Sequence, residues 1–145
     1  MSYEKILIVC TGNICRSPTA EYVLKQLLPD LFIVSAGINV TPDRPAEPEA
    51  ILSARKNGID ITPHIARQLT PQMCEFADLI LVMEESHVDD IALISPQSRS
   101  KTMLLGQWIS PLFIRDPYKK SQDTFDQIYK QIEKACQAWA EKLRH

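Results

Sequence analysis

At 145 residues the chain is one domain's worth, long enough to bury a real core and too short for two. Hydrophobic residues at 45% and charged ones at 23% fit an ordinary globular protein, and a net charge of -2 gives no electrostatic case for nucleic acid or an anionic membrane surface. Any anion binding must therefore be local.

Met1 to Lys5 leads into only a short apolar run, which reads as a strand rather than a secretory leader, so a cytoplasmic, reducing compartment with free thiols is expected. The four cysteines and three histidines fall into no paired C-x2-C or H-x3-H spacing. No metal and no cofactor are expected.

The first predicted element is an apolar strand from Lys5 to Val9, and it runs into Cys10-Thr11-Gly12-Asn13-Ile14-Cys15-Arg16-Ser17-Pro18. The gap from Cys10 to Arg16 can curl into a cradle whose backbone N–H groups converge on one phosphate. Gly12 and Asn13 tolerate the positive φ that such a curl requires. Ser17 reads as the N-cap and Pro18 as the first residue of a helix. The cradle then ends on a helix N-terminus, which favours both a phosphate and a thiolate at Cys10. Alone, Cys10 would be a small core hydrophobe. In this company it is a candidate nucleophile, with Arg16 offering a planar fork for two phosphoryl oxygens. The Gly-Lys-Ser/Thr of nucleoside-triphosphate loops is absent.

The helix from Pro18 to Leu28 carries Ala20, Val23, Leu24, Leu27 and Leu28 on one side and is stopped by Pro29-Asp30. A strand from Leu31 to Ser35 follows, then a proline-rich loop, Thr41 to Pro48, and a second helix to Lys56 with Asn57-Gly58 as its stop. Thr70-Pro71 opens a short helix through Cys74 and Phe76. The run Asp78 to Met83 is apolar enough for a strand covered on both faces. Ser86, with Asp89 three residues on, reads as the cap of a helix bearing Val88, Ile91, Ala92 and Ile94, and His87 in its polar first turn reads as solvated. A strand from Lys101 to Leu105 and a helix from Asp123 to Leu143 complete the chain, with Cys136 on the apolar stripe of that helix. Strands alternating with helices predict an α/β fold with a parallel sheet, and ligands of such sheets bind beyond the strands' carboxyl ends. The Cys10 loop lies at one such end.

The loop from Cys10 to Pro18 resembles the signature of the low-molecular-weight protein tyrosine phosphatases, and Ser35-Ala36-Gly37, His64-Ile65-Ala66-Arg67-Gln68 and Asp116-Pro117-Tyr118 match that family in order and spacing. The resemblance covers almost the whole chain. Asp116 to Ser121 most resembles the bacterial members that accompany capsule and exopolysaccharide export. It implies a single three-layer domain over residues 1–145, with a four-stranded parallel sheet of order 2-1-3-4 and helices on both faces. It implies a phosphotyrosine-protein phosphatase that forms a cysteinyl-phosphate on Cys10 and dephosphorylates an autophosphorylating tyrosine kinase of polysaccharide export. Within it, residues Thr11, Gly12, Asn13, Ile14, Cys15, Arg16 and Ser17 bind the phosphoryl group. Asp116 is the general acid and then the base, Tyr118 is a wall for the substrate ring, and Asn13, Ser17, Ser35 and His64 support the loop. Many eukaryotic members have a second aromatic where this chain has Lys119.

Two questions stay open at this level. Cys15 is either a redox partner that captures an oxidised Cys10 as a disulfide or a buried bystander. The alternatives to a phosphatase are an arsenate reductase of the same fold, for which Cys74 is the one candidate resolving thiol, and a phosphate-binding module without catalysis.

Overall fold

The computed structural model describes residues 3–144. Four parallel strands form one sheet of order β2-β1-β3-β4: β1 (Lys5–Cys10), β2 (Phe32–Gly37), β3 (Leu79–Val82) and β4 (Thr102–Leu104). The expected order and direction are the observed ones. The strands are offset from their predicted bounds by one or two residues, β2 running on to Gly37 so that it reaches alongside Cys10.

Alternation along β1 divides the interior in two. Ile6, Ile8 and Cys10 point into one layer, which they share with Ala20 and Leu24 of α1 (Arg16–Leu27), Ala54 of α2 (Pro48–Lys56), and Phe125, Ile132 and Trp139 of α5 (Gln122–Leu143). Leu7 and Val9 point to the other face, against Cys74 of α3 (Pro71–Phe76) and Val88 and Ile91 of α4 (Glu85–Ile94). Covered on both faces, β3 has no exposed residue. Each fully buried leucine or isoleucine in these layers contributes about 1.5–3 kcal/mol by leaving water.

Local chemistry explains most helix ends. Thr70 accepts from the Met73 N–H, with Pro71 at the first helical position, as the sequence predicts. Gly58 stops α2 at φ +79, a conformation costly for a side-chain-bearing residue. Ser121 caps α5 by accepting from Thr124 N–H. Two expectations fail. Helix α1 begins at Arg16, not Pro18, because the Ser17 hydroxyl is drawn into the loop, and Cys15 takes the N-cap position without a side-chain cap. Helix α4 is capped by Glu84 rather than Ser86, with Glu84 and His87 bonding each other's backbone reciprocally. Among the described residues no helix is long and apolar enough to cross a membrane.

Candidate active site

The Cys10–Arg16 loop leaves β1 at its carboxyl end, between β2 and β3. The positive φ falls on Asn13 (57°) and not on Gly12. An asparagine is tolerated there because its short amide can be bonded locally, and here both side-chain polar atoms and the carbonyl are used. Nδ2 donates to Ser17 Oγ at 2.7 Å and to Ser35 Oγ at 3.0 Å, Oδ1 accepts from Arg67 N–H at 2.9 Å, and the carbonyl lies 2.6 Å from His64 Nε2. Gly37 lies beside Cys10, and a Cβ there would stand 2.8 Å from the Thr11 carbonyl oxygen. The predicted supporting residues Asn13, Ser17, Ser35 and His64 thus come together around the loop.

Ser17 Oγ accepts from Asn13 and lies 2.9 Å from Cys10 Sγ, which leaves its own hydrogen for the sulfur. The Ser35 hydroxyl donates onward to Glu21 Oε1 at 2.5 Å, and Glu21 also pairs with Lys25. Glu21, 94% buried, is a member of this chain of bonds that sequence reasoning missed. Its position on the second turn of α1, among apolar neighbours, is the only local signal for it.

Arg16 is almost wholly buried. Nη1 donates to Glu84 Oε2 at 2.7 Å and to the Ile114 carbonyl at 2.8 Å, while Nη2 lies 3.5 Å from Thr11 Oγ1 and 3.8 Å from Asp116 Oδ2. Both Nη1 hydrogens are therefore taken up by the protein, and the edge left for an anion is the one bearing Nη2 and Nε. The expected two-oxygen fork is thus narrowed to that edge. Glu84, not foreseen from the sequence, sits 68 residues away along the chain.

Asp116 faces the same cleft with its carboxyl half-exposed, and Oδ1 accepts from Tyr118 N–H at 3.1 Å. The aspartate thus makes the turn expected of Asp-Pro and also faces Arg16. The Tyr118 ring stands at the mouth, with the Arg44 guanidinium 5.7 Å and the Lys119 ammonium 5.5 Å from its centroid. Cys10, Gly12, Arg16, Asp116, Tyr118 and Arg44 enclose a cleft of about 190 Å³.

His87 corrects the expectation of a solvated ring: it is 2% exposed, Nδ1 accepts from the Met83 and Glu84 N–H groups, and Nε2 lies 3.0 Å from Thr11 Oγ1. Burial lowers the pKa of both His64 and His87, assisted at His87 by Arg16. Cys15 is buried, and burial followed by the Cys10 and Asp116 charges pushes its thiol up strongly. Cys136 is core, as predicted. Cys74 lies in the layer on the other side of the sheet from the one Cys10 enters, so no relay of thiols toward Cys10 is built. Among the described residues no three His, Cys, Asp or Glu side chains are grouped to hold a metal ion.

A thiol that accepts a hydroxyl hydrogen, a fixed guanidinium edge and a half-exposed carboxyl in one cleft can accept a phosphoryl group and protonate what leaves. Comparison with known proteins agrees with that chemistry. The sequence model of the family "Low molecular weight phosphotyrosine protein phosphatase" matches residues 5–145. A "Putative low molecular weight protein-tyrosine-phosphatase" from Klebsiella pneumoniae is 48% identical over 142 residues, 98% of this chain and 99% of that protein. The tyrosine phosphatase Wzb from Escherichia coli K30, solved with sulphate, superposes with a TM-score of 0.95 at 45% identity, covering 97% of this chain and 99% of the other. Vibrio vulnificus Wzb, solved with benzylphosphonate, gives 0.95 at 47% identity over 98% of this chain and 100% of that one. The chain belongs to the low molecular weight phosphotyrosine protein phosphatase family.

Proposed function

We propose that this phosphatase hydrolyses phosphotyrosine esters through a cysteinyl-phosphate on Cys10, and that its substrate is an autophosphorylating bacterial tyrosine kinase of polysaccharide export. The observation that carries the reaction is the Ser17 hydroxyl 2.9 Å from Cys10 Sγ, in the cleft that Arg16 and Asp116 also line.

In the first step Cys10 Sγ attacks phosphorus, the P–O bond to tyrosine breaks, and Asp116 gives its proton to the departing phenolate oxygen. In the second, Asp116 takes a proton from water as the water oxygen attacks phosphorus, the S–P bond breaks and inorganic phosphate leaves. The loop amides from Thr11 to Ser17 and the free edge of Arg16 hold the three equatorial oxygens, where transition-state charge collects. Tyr118 supplies the apolar wall for the tyrosyl ring. Asn13, Ser35 and His64 hold the curl, and Ser17 steadies the thiolate in the first step and the departing sulfur in the second.

The kinase assignment rests on the resemblance of Asp116 to Ser121 to members that accompany polysaccharide export. Four unpaired thiols fit a reducing compartment, so we place the enzyme in the cytoplasm. Turnover of p-nitrophenyl phosphate in EDTA, abolished by Cys10→Ser, tests the chemistry. Retention of a tyrosine-phosphorylated kinase by the Cys10→Ser protein, and its release by orthovanadate, tests the partner. Retention of other phosphoproteins in its place overturns that partner and leaves the chemistry standing.

A further inference from the structure

His87 has no place in the reaction just described, yet this buried histidine is bonded to Thr11, which lines the substrate cleft. Its ring is fully bonded. The Met83 and Glu84 N–H groups donate to Nδ1 at 3.3 and 3.2 Å, so Nδ1 carries no hydrogen. The ring proton of the neutral side chain then sits on Nε2, 3.0 Å from Thr11 Oγ1, and Nε2 donates. Arg16 Nη2 makes a longer approach to the same oxygen at 3.5 Å. A hydroxyl has two lone pairs and one hydrogen. With both lone pairs turned to His87 and Arg16, the Thr11 hydrogen is left to point elsewhere, and Thr11 is exposed on the cleft that holds Cys10 and Asp116.

Resting on the phosphatase reading above, we infer that His87 is a positioning residue. By donating from Nε2 it turns the Thr11 hydroxyl into a fixed donor for a phosphoryl oxygen of the bound substrate. Thr11 then contributes through its side chain as well as its backbone.

The surroundings keep the ring neutral. A proton added at Nδ1 would face two N–H donors and no acceptor, and would undo the reciprocal cap of α4. The charged groups facing the ring are Arg16, Glu84, Asp90 and Asp116; burial and Arg16 lower its pKa against the opposite pull of the three carboxylates.

The test joins a spectrum to a mutant cycle. Long-range proton–nitrogen NMR of the wild-type protein is expected to find His87 in the Nε2–H form at neutral pH, with the Nε2 signal moving when inorganic phosphate is added. Thr11→Val should weaken phosphate binding and lower kcat/KM for p-nitrophenyl phosphate roughly tenfold to a hundredfold, the weight of one hydrogen bond to a charged group. Thr11→Ser should restore both. His87→Asn keeps a side-chain oxygen near the Glu84 N–H but cannot reach Thr11. It should reproduce the Thr11→Val loss in a protein that still melts cooperatively above the assay temperature, and add nothing further in the Thr11→Val background. An Nδ1–H ring, additive losses, or unchanged phosphate affinity in both single variants overturns the inference. Phosphate binding and the tautomer are read without turnover, so failure of the phosphatase reading, seen as no wild-type hydrolysis, is a separate outcome.

Discussion

Glu84 and the Ile114 carbonyl take the two hydrogens of Arg16 Nη1, at 2.7 and 2.8 Å. A guanidinium pinned on one side and buried cannot swing, so its other edge is oriented before substrate arrives. The reorganisation that a flexible side chain would undergo in water is thereby avoided at the moment of reaction. The anchor comes from the turn that follows β3, and the loop itself from β1, so neighbouring parallel strands set the distance between cradle and clamp.

That geometry separates orientation from charge. Arg16→Lys keeps the charge but cannot span Glu84, the Ile114 carbonyl and a phosphoryl oxygen together, and kcat should fall by roughly 10²–10³-fold. Glu84→Ala leaves Nη1 held by the Ile114 carbonyl alone, and kcat/KM should fall by about tenfold or more. Glu84→Gln, which retains an acceptor oxygen, should recover most of it. Steady-state kinetics with p-nitrophenyl phosphate distinguish the three, and equal activity of Glu84→Ala and wild type would mean that Arg16 is held by Ile114 alone.

Asp116 is bonded to its own turn and faces Arg16 across 3.8 Å, so a structural and a chemical role coincide. They separate by leaving group. Asp116→Asn preserves the acceptor for Tyr118 N–H and removes the proton. For phenyl phosphate, whose phenolate resembles that of tyrosine with a pKa near ~10, kcat should drop on the order of 10²-fold or more. For esters of strongly acidic phenols, which leave without help, the drop should be much smaller. A uniform loss across a leaving-group series assigns Asp116 to the turn.

The elements legible in the sequence are those whose cause is local. Thr70-Pro71 and Asn57-Gly58 mark helix ends by their own backbone chemistry, and the stripe from Phe125 to Trp139 marks α5 by period. The sheet order was foreseen only through the family resemblance, since no local pattern fixes which strands pair. The failures have two causes, a local competition and contacts of long range. Ser17 looks like a cap because Ser-Pro usually is one, but Cys10 and Asn13 compete for its oxygen and win. His87 looks solvated because Glu85, Ser86, Asp89 and Asp90 surround it in sequence. Its partner Thr11 lies 76 residues away, and Glu84 and Arg16 are 68 apart. Periodicity carries no information about contacts of that range.

The two buried histidines make a statement about pH. In the folded chain burial holds both rings below the ordinary histidine range, so the unfolded chain binds more protons as pH falls through about 6.5. Their stabilising contribution is complete above that pH and is lost as pH falls through the lower folded values. Asp126, held at about 2 by Ser53, Lys56 and Gln122, acts only in a more acid window below the ordinary carboxylate range, so it leaves the histidine window clear. Thermal melts should fall in midpoint from about pH 7 to about pH 5. His64→Gln should flatten that slope while lowering the midpoint at neutral pH. A midpoint independent of pH across this interval contradicts the assignment.

Cys15 is the last residue of the loop whose role can be decided by experiment. In the resting enzyme its thiol is held protonated by burial first and then by the charge on Cys10. Peroxide oxidation of Cys10 to a sulfenic acid makes its sulfur an electrophile for the thiolate of Cys15. Attack of that thiolate on the Cys10 sulfur forms a disulfide and releases the sulfenic oxygen as water. We therefore expect a bond between Cys15 and Cys10 only after Cys10 has been oxidised. After peroxide and then excess dithiothreitol, the parent should regain most of its activity, and Cys15→Ala should regain far less because its sulfenic acid proceeds to the sulfinic form. Mass spectrometry before reduction should find a loss of two hydrogens in the parent and added oxygen in the variant. Equal recovery of the two proteins makes Cys15 a packing residue.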